Sequence, residues 1–182
     1  IWLWGQGKKP QLPTFLEKYG LRGNVISAVD LIKGLGKIIG LEPIYVEGAT
    51  GYYDTNYKGK AEAALEALKK NDFVFVHVEA PDEAGHNGDL RAKVSVIDKF
   101  DSLVVGTILK GLEGISDFRI LVTSDHPTPL SLRTHSPEPV FFAMYGKGIA
   151  KDDVEAFNEK SAQVSNWRIE AGHKLLDVFI EK

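Results

Sequence analysis

Asp72-Phe-Val-Phe-Val-His-Val78 runs directly into Glu79-Ala-Pro-Asp82-Glu-Ala-Gly-His86, and this stretch decides the fold. Its first half is nearly continuous in apolar and β-branched residues, the pattern of a strand covered on both faces rather than one side wetted by solvent. Its second half places a proline, two acids, a glycine and an imidazole just past the strand end. Working outward, the same alternation recurs. Short apolar runs that read as strands lie at Asn24–Ser27, Pro43–Val46, Phe118–Thr123 and Val140–Tyr145. Amphipathic runs that read as helices lie at Leu12–Tyr19, Ala28–Ile39, Lys58–Lys70, Leu90–Leu112 and Arg168–Ile180. Strand and helix in turn predict α/β crossover units: three layers, a mainly parallel sheet with helices on both faces. Along the fourth helical run Val94, Ile97, Asp101, Val104, Val105, Ile108 and Leu112 recur at helical spacing, with Asp101 the one polar member of the stripe.

Composition narrows the class. With 182 residues, 43% of them hydrophobic, the chain can bury a substantial core. The 22 basic and 25 acidic residues are interspersed, so nothing resembles a nucleic-acid arm or a membrane-surface patch. There are no cysteines, which excludes disulfides and thiolate metal sites and fits a cytoplasmic protein. No apolar run approaches the roughly 20 residues of a membrane-crossing helix. Ile1-Trp-Leu-Trp-Gly-Gln-Gly7 reads like the middle of a fold, so the chain is expected to be a piece of a longer protein. On this reading residues 1–11 form an irregular segment ahead of a single domain over 12–182.

In open parallel sheets, ligands gather beyond the carboxyl ends of the strands. Asp82 and His86 follow one strand; Ser124-Asp125-His126-Pro-Thr-Pro129 follows another; Arg133-Thr-His135-Ser136 precedes the next. Taken singly each is unremarkable. An Asp and a His four apart form a common string, and a lone His is more often a structural hydrogen-bonder than a ligand. Together, three loops bring carboxylates and imidazoles to one sheet edge, as a divalent cation site for phosphate chemistry requires. Asp82, His86 and His135 make a three-donor set; Asp125 and His126 are only two, too few to hold a second ion unaided. No nucleophile stands out: Ser27, Ser124, Ser131 and Ser136 are candidates by place alone, and Ser27 equally suits a helix cap. Lys33 and Arg133 are candidate phosphate or carboxylate holders, though a solvated surface role fits Lys33 as well.

These residues resemble the archaeal-type cofactor-independent phosphoglycerate mutases of the alkaline phosphatase superfamily. The matching stretches are Val25-Ile-Ser-Ala-Val-Asp-Leu-Ile-Lys-Gly34, Gly48-Ala-Thr-Gly-Tyr-Tyr-Asp-Thr-Asn-Tyr57, Val76–His86, Ser124–Pro129 and Arg133–Ser136, so the likeness runs nearly end to end. The resemblance implies a partial alkaline-phosphatase-like domain and two Mn or Zn ions. One would sit on Asp82, His86 and His135, the other on Asp125 and His126 with an Asp and the nucleophilic Ser of an upstream segment. That Ser would carry the phosphate between the two hydroxyls of glycerate, interconverting 3- and 2-phosphoglycerate, and Lys33 resembles the family's phosphate-contacting lysine. The cap that selects substrate is largely absent, so this chain alone is expected to hold at most one ion well and to be inactive as a mutase. Alternatives are another phosphohydrolase, phosphomutase or homoserine kinase of the superfamily, or a non-catalytic metal-binding module. A homodimer is a further expectation.

Overall fold

The computed structural model describes residues 7–181. The irregular segment expected over 1–11 therefore lies outside the described residues up to Gln6, and from Gly7 to Gln11 the chain has neither helix nor strand. The described chain divides into two compact units: everything up to Glu83 together with Arg91–Gly111, and Ala84–Leu90 together with Leu112 onward.

The first unit is built on a parallel sheet. Strand β1 (Gly23–Ile26) lies between β2 (Glu42–Ile44) and β3 (Phe73–Val76), in the order β2-β1-β3. Its helices include α1 (Phe15–Tyr19), α2 (Asp30–Ile38) and α3 (Tyr57–Leu68). The step from β1 through α2 to β2 crosses the sheet one way and the step from β2 through α3 to β3 crosses it the other. Right-handed connections therefore put α2 and α3 on opposite faces. Packing agrees. Gly36 of α2 approaches Val25 so closely that a methyl group there would meet Val25 Cγ1 at 2.5 Å, and the Phe15 ring of α1 stacks on Phe73 at 4.5 Å, in register with that same face. On the other face Ile26 packs with Ala64 of α3, joined by Ile44, Val74 and Val76. The three-layer expectation holds in this unit.

The long helix expected over Leu90–Leu112 is present as α5 (Leu90–Lys99), a π-helical stretch from Phe100 to Val105, and α6 (Gly106–Gly111). A π turn carries an extra residue, which puts the stripe before it out of phase with the stripe after. Val96 and Val104 are thus buried, while Val94, Ile97 and Asp101 of the expected stripe are exposed.

The second unit differs from expectation in its strands. β4 (Arg119–Thr123) pairs with β5 (Phe142–Gly146), and the pair is antiparallel, from Arg119↔Gly146 to Thr123↔Phe142. The sequence reading put both runs into a mainly parallel sheet. The correction has a simple cause: the connection from Ser124 to Phe141 contains no helix, and parallel neighbours need a crossover, usually helical. A short helix α7 (Glu159–Ala162), a 3-10 turn at Gly172–Lys174 and α8 (Leu175–Ile180) complete the unit, where one helix over Arg168–Ile180 was expected. Arg119 Nη1 donates to the carbonyls of Phe179, at 2.9 Å, and of Glu181, at 3.2 Å, and so caps the C-terminal end of α8.

The passage after β3 is also helical: α4 spans Ala80–Asn87, and the division between units falls within it. Pro81 is tolerated because it lies in the first turn, where its missing N–H costs no helical bond. No described helix is long and apolar enough to cross a membrane.

Candidate metal centre

Three of the imidazoles singled out above meet inside the second unit. His86 sits in the last turn of α4, His126 just past β4, and His135 at the end of a loop closed by Ser136 N–H donating to Pro127 O at 3.1 Å. His86 Nε2 and His135 Nε2 are 3.1 Å apart. Two nitrogens on one tetrahedral ion, each at about 2.05 Å from it, stand about 3.3 Å from one another. The observed separation is thus close to one edge of a coordination polyhedron. The His126 ring lies against the His135 ring, centroids 3.7 Å apart.

The backbone fixes which nitrogen of His86 faces inward. Its Nδ1 lies 3.0 Å from the carbonyl oxygen of Arg133. A carbonyl only accepts, so in the neutral ring Nδ1 carries the hydrogen and Nε2 keeps the lone pair. This is the outer hydrogen bond by which proteins orient a metal-binding imidazole. Arg133 can offer its carbonyl there because its own backbone is left-handed, φ 53°, the one described non-glycine residue with positive φ. Two close approaches, one to backbone and one to a side chain, set α4 and the residue after it against this loop. A methyl group at Gly85 would meet Thr128 O at 2.5 Å, and at Gly88 it would meet Arg133 Nε at 2.5 Å.

Asp125 joins the group locally. Its Oδ1 accepts the His126 N–H at 3.0 Å, and its Oδ2 stands 3.4 Å from His126 Nε2. Thr128 Oγ1 lies 3.3 Å from His126 Nδ1. The second unit thus gathers His86, Asp125, His126 and His135, with Arg133 beside them. Asp82 and Lys33 belong to the first unit. Asp82 occupies the first turn of α4, four residues before His86, with its N–H donated to Glu79 O at 2.9 Å. It forms an acidic group with Glu79 and Glu83, their carboxylate oxygens within 4.8 Å of one another. Lys33 Nζ pairs with Asp30 at 2.7 Å, and that bond holds the Asp30 carboxyl below its ordinary range.

The serines sort themselves differently from their places in the sequence. Ser27 is buried; its Oγ accepts the Val29 N–H at 3.0 Å ahead of α2 and lies 3.0 Å from His77 Nδ1. The helix-cap role set beside the nucleophilic one is not what these contacts describe: the N-cap of α2 is Val29, without a side-chain cap bond, and Ser27 instead ties the end of β1 to Val29 and His77. Sequence reasoning passed over the residues around it. His77 Nε2 is 3.1 Å from Glu79 Oε2, and Lys60, with no exposed surface, donates from Nζ to His77 O at 3.0 Å. The signal was available: Lys60 stands four and seven residues before Ala64 and Ala67, on the buried stripe of α3.

Comparison with known proteins follows the same lines. A family model described as the Metalloenzyme superfamily matches residues 1–176. A probable 2,3-bisphosphoglycerate-independent phosphoglycerate mutase from Geobacter sulfurreducens is 51% identical over 183 residues, covering all of this chain and 46% of the relative. The 2,3-bisphosphoglycerate-independent phosphoglycerate mutase of Methanothrix thermoacetophila is 52% identical over 181 residues, again 46% of its length. Among solved structures, a protein from Pyrococcus horikoshii superposes with TM-score 0.84 at 32% identity, covering 92% of this chain and 50% of that one. A cofactor-independent phosphoglycerate mutase from Thermoplasma acidophilum superposes with TM-score 0.70 at 27% identity, covering 94% and 39%. The chain spans about half the length of the curated relatives it matches.

Proposed function

The chain belongs to the Metalloenzyme superfamily, and from that membership we propose that it supplies the metal-ligating part of a 2,3-bisphosphoglycerate-independent phosphoglycerate mutase, which interconverts 3- and 2-phosphoglycerate. The observation that carries the proposal is the pair His86 and His135. Their Nε2 atoms converge to 3.1 Å, with the His86 tautomer set by the Arg133 carbonyl. The donor chemistry, imidazole and carboxylate without thiolate, suits Mn or Zn.

Asp82, His86 and His135 would hold one ion, and Asp125 with His126 would contribute to a second. When bound, such ions neutralise the charge that develops on a transferring phosphoryl group. The rest falls to the chain's own groups. The Arg133 carbonyl orients His86, and the Asp125 carboxylate faces His126. Lys33 and Arg133 offer cations for the phosphate or carboxylate of the substrate, the Arg133 fork suiting either anion. The nucleophilic serine is assigned to the part of the relatives that this chain does not match. Ser27, the earliest of its serines, is occupied by the Val29 N–H and the His77 ring.

Two measurements test this. Mn or Zn binding to this chain, followed by equilibrium dialysis with metal analysis, is expected to fall at least about tenfold in His86→Ala and in His135→Ala; unchanged affinity in both would remove the ligand assignment. The reaction is tested in a chimera, with this chain replacing the matching part of the Geobacter sulfurreducens relative. That chimera should convert 3-phosphoglycerate with neither nucleotide nor 2,3-bisphosphoglycerate added. A requirement for ATP would defeat the mutase reading and favour a kinase-like transferase.

A further inference from the structure

Residues 77 to 79 bridge the end of β3 and the start of α4, and four contacts inside the first unit hold this short bridge. The His77 N–H donates to Ile26 O at 2.8 Å, extending the β1–β3 pairing past the strand end. The His77 carbonyl accepts from the fully buried Lys60 ammonium at 3.0 Å. The imidazole lies between Ser27 Oγ, at 3.0 Å, and Glu79 Oε2, at 3.1 Å. One neutral tautomer satisfies both sides. Ser27 Oγ already accepts from Val29 N–H, so its hydroxyl hydrogen is free to go to His77 Nδ1, and Nε2–H then goes to the Glu79 carboxylate. The Glu79 carbonyl in turn accepts the N–H groups of Asp82, at 2.9 Å, and of Glu83, at 3.2 Å, which opens α4.

Nothing in core packing asks for a charged amine here; a methionine would fill the same volume without desolvation. The Lys60 ammonium meets the β3–α4 bridge at the His77 carbonyl, and the Ser27–His77–Glu79 chain reaches that bridge from the end of β1. We infer that Lys60, His77, Glu79 and Ser27 form a positioning device that sets the first turn of α4 and so aims the Asp82 carboxylate at a divalent cation. The inference rests on the reading of Asp82 as a ligand. It assigns these four side chains no contact with ion or substrate: they act through Asp82.

The test uses the full 182-residue chain and Mn(II) binding, read from the spin-resonance signal of free Mn(II), with melting temperatures recorded in the absence of metal. Asparagine at 77 can reach Ser27 but not Glu79, whereas glutamine can present its amide N–H to Glu79. His77→Gln is therefore expected to bind Mn(II) within about threefold of wild type, and His77→Asn and Lys60→Met to bind about ten- to a hundredfold more weakly. All should still melt well above the assay temperature. A purely structural role would move melting temperature and leave affinity alone, so wild-type affinity in both weakened variants overturns the inference. Equal loss in His77→Gln and His77→Asn overturns it too. Asp82→Asn separates the two levels. If it binds Mn(II) like wild type, the ligand assignment falls and the device falls with it. If it binds weakly while His77→Asn and Lys60→Met do not, the ligand stands and only the device is lost. Should Lys60→Met fail to fold, the two His77 variants decide.

Discussion

At the scale of one residue, Lys60 carries an energetic consequence that is independent of any metal. Burial pulls its amine from 10.5 to about 8, opposed in part by the Glu79 charge. The folded state therefore binds this proton less tightly than the unfolded chain. Below about pH 8 both states are protonated and the full cost of burying the charge is present. Between about 8 and 10.5 only the unfolded chain keeps the proton, so stability rises with pH across that window. Urea unfolding of the metal-free chain is expected to show this rise, and Lys60→Met to abolish it. At pH 7 the relief of removing a buried charge is opposed by leaving the His77 carbonyl without its donor, so Lys60→Met should lie within about 1–2 kcal/mol of wild type. Parallel pH profiles in the two proteins would contradict the assignment. The residue also shows what a sequence conceals. Its place on the stripe of Ala61, Ala64 and Ala67 was readable, but a lysine there can snorkel to solvent as easily as turn inward. Only the His77 carbonyl, seventeen residues away, decides between them. His86 and His135 were readable for the opposite reason: no core role explains imidazoles grouped beyond strand ends.

At the scale of elements, α2 offers a comparison within a single helix. Gly34 is exposed, with nothing within 4 Å of the position a methyl group would take. Gly36 faces Val25, whose Cγ1 would lie at 2.5 Å and Cβ at 3.0 Å, and Val25 is itself buried. The same substitution should therefore have opposite signs. Gly34→Ala is expected to stabilise by about 0.5–1 kcal/mol through helix propensity, and Gly36→Ala to destabilise by ~1–3 kcal/mol through overpacking against β1. Thermal melts of the two variants check this, and equal shifts would mean that α2 does not seat on β1 through Gly36. Elements were legible where their own period was strong. The β3 run, α3 and the early βαβ units follow from apolar pattern alone. α4 was read as a loop because Pro81, Gly85 and Gly88 look like breakers; in place, Pro81 starts the helix and Gly85 lets it approach Thr128. The antiparallel β4–β5 pair escaped because strand direction is set by what connects two strands, and a stiff, proline-rich connection carries no periodic signal.

At the scale of the whole molecule, donors limit how many ions the chain can keep. Neither composition nor a linker marked the division into two units, since its boundary falls inside a continuous helix. That division nonetheless locates a measurable effect. His86 and His135 both belong to the second unit, each tied to the loop between β4 and β5. A first ion taken by these imidazoles should stabilise that loop by mass action, about 2.7 kcal/mol when free metal is a hundredfold above its dissociation constant. The set of Asp125 and His126 has only two donors, against the three or four that protein zinc sites supply. Titration with Mn or Zn is therefore expected to saturate at one tightly bound ion per chain. Amide exchange should slow on binding across residues 124–136, and His135→Ala should show no such protection. Two ions held with equal tightness would mean that a further donor of this chain reaches the Asp125–His126 pair, and the ligand count would have to be redrawn.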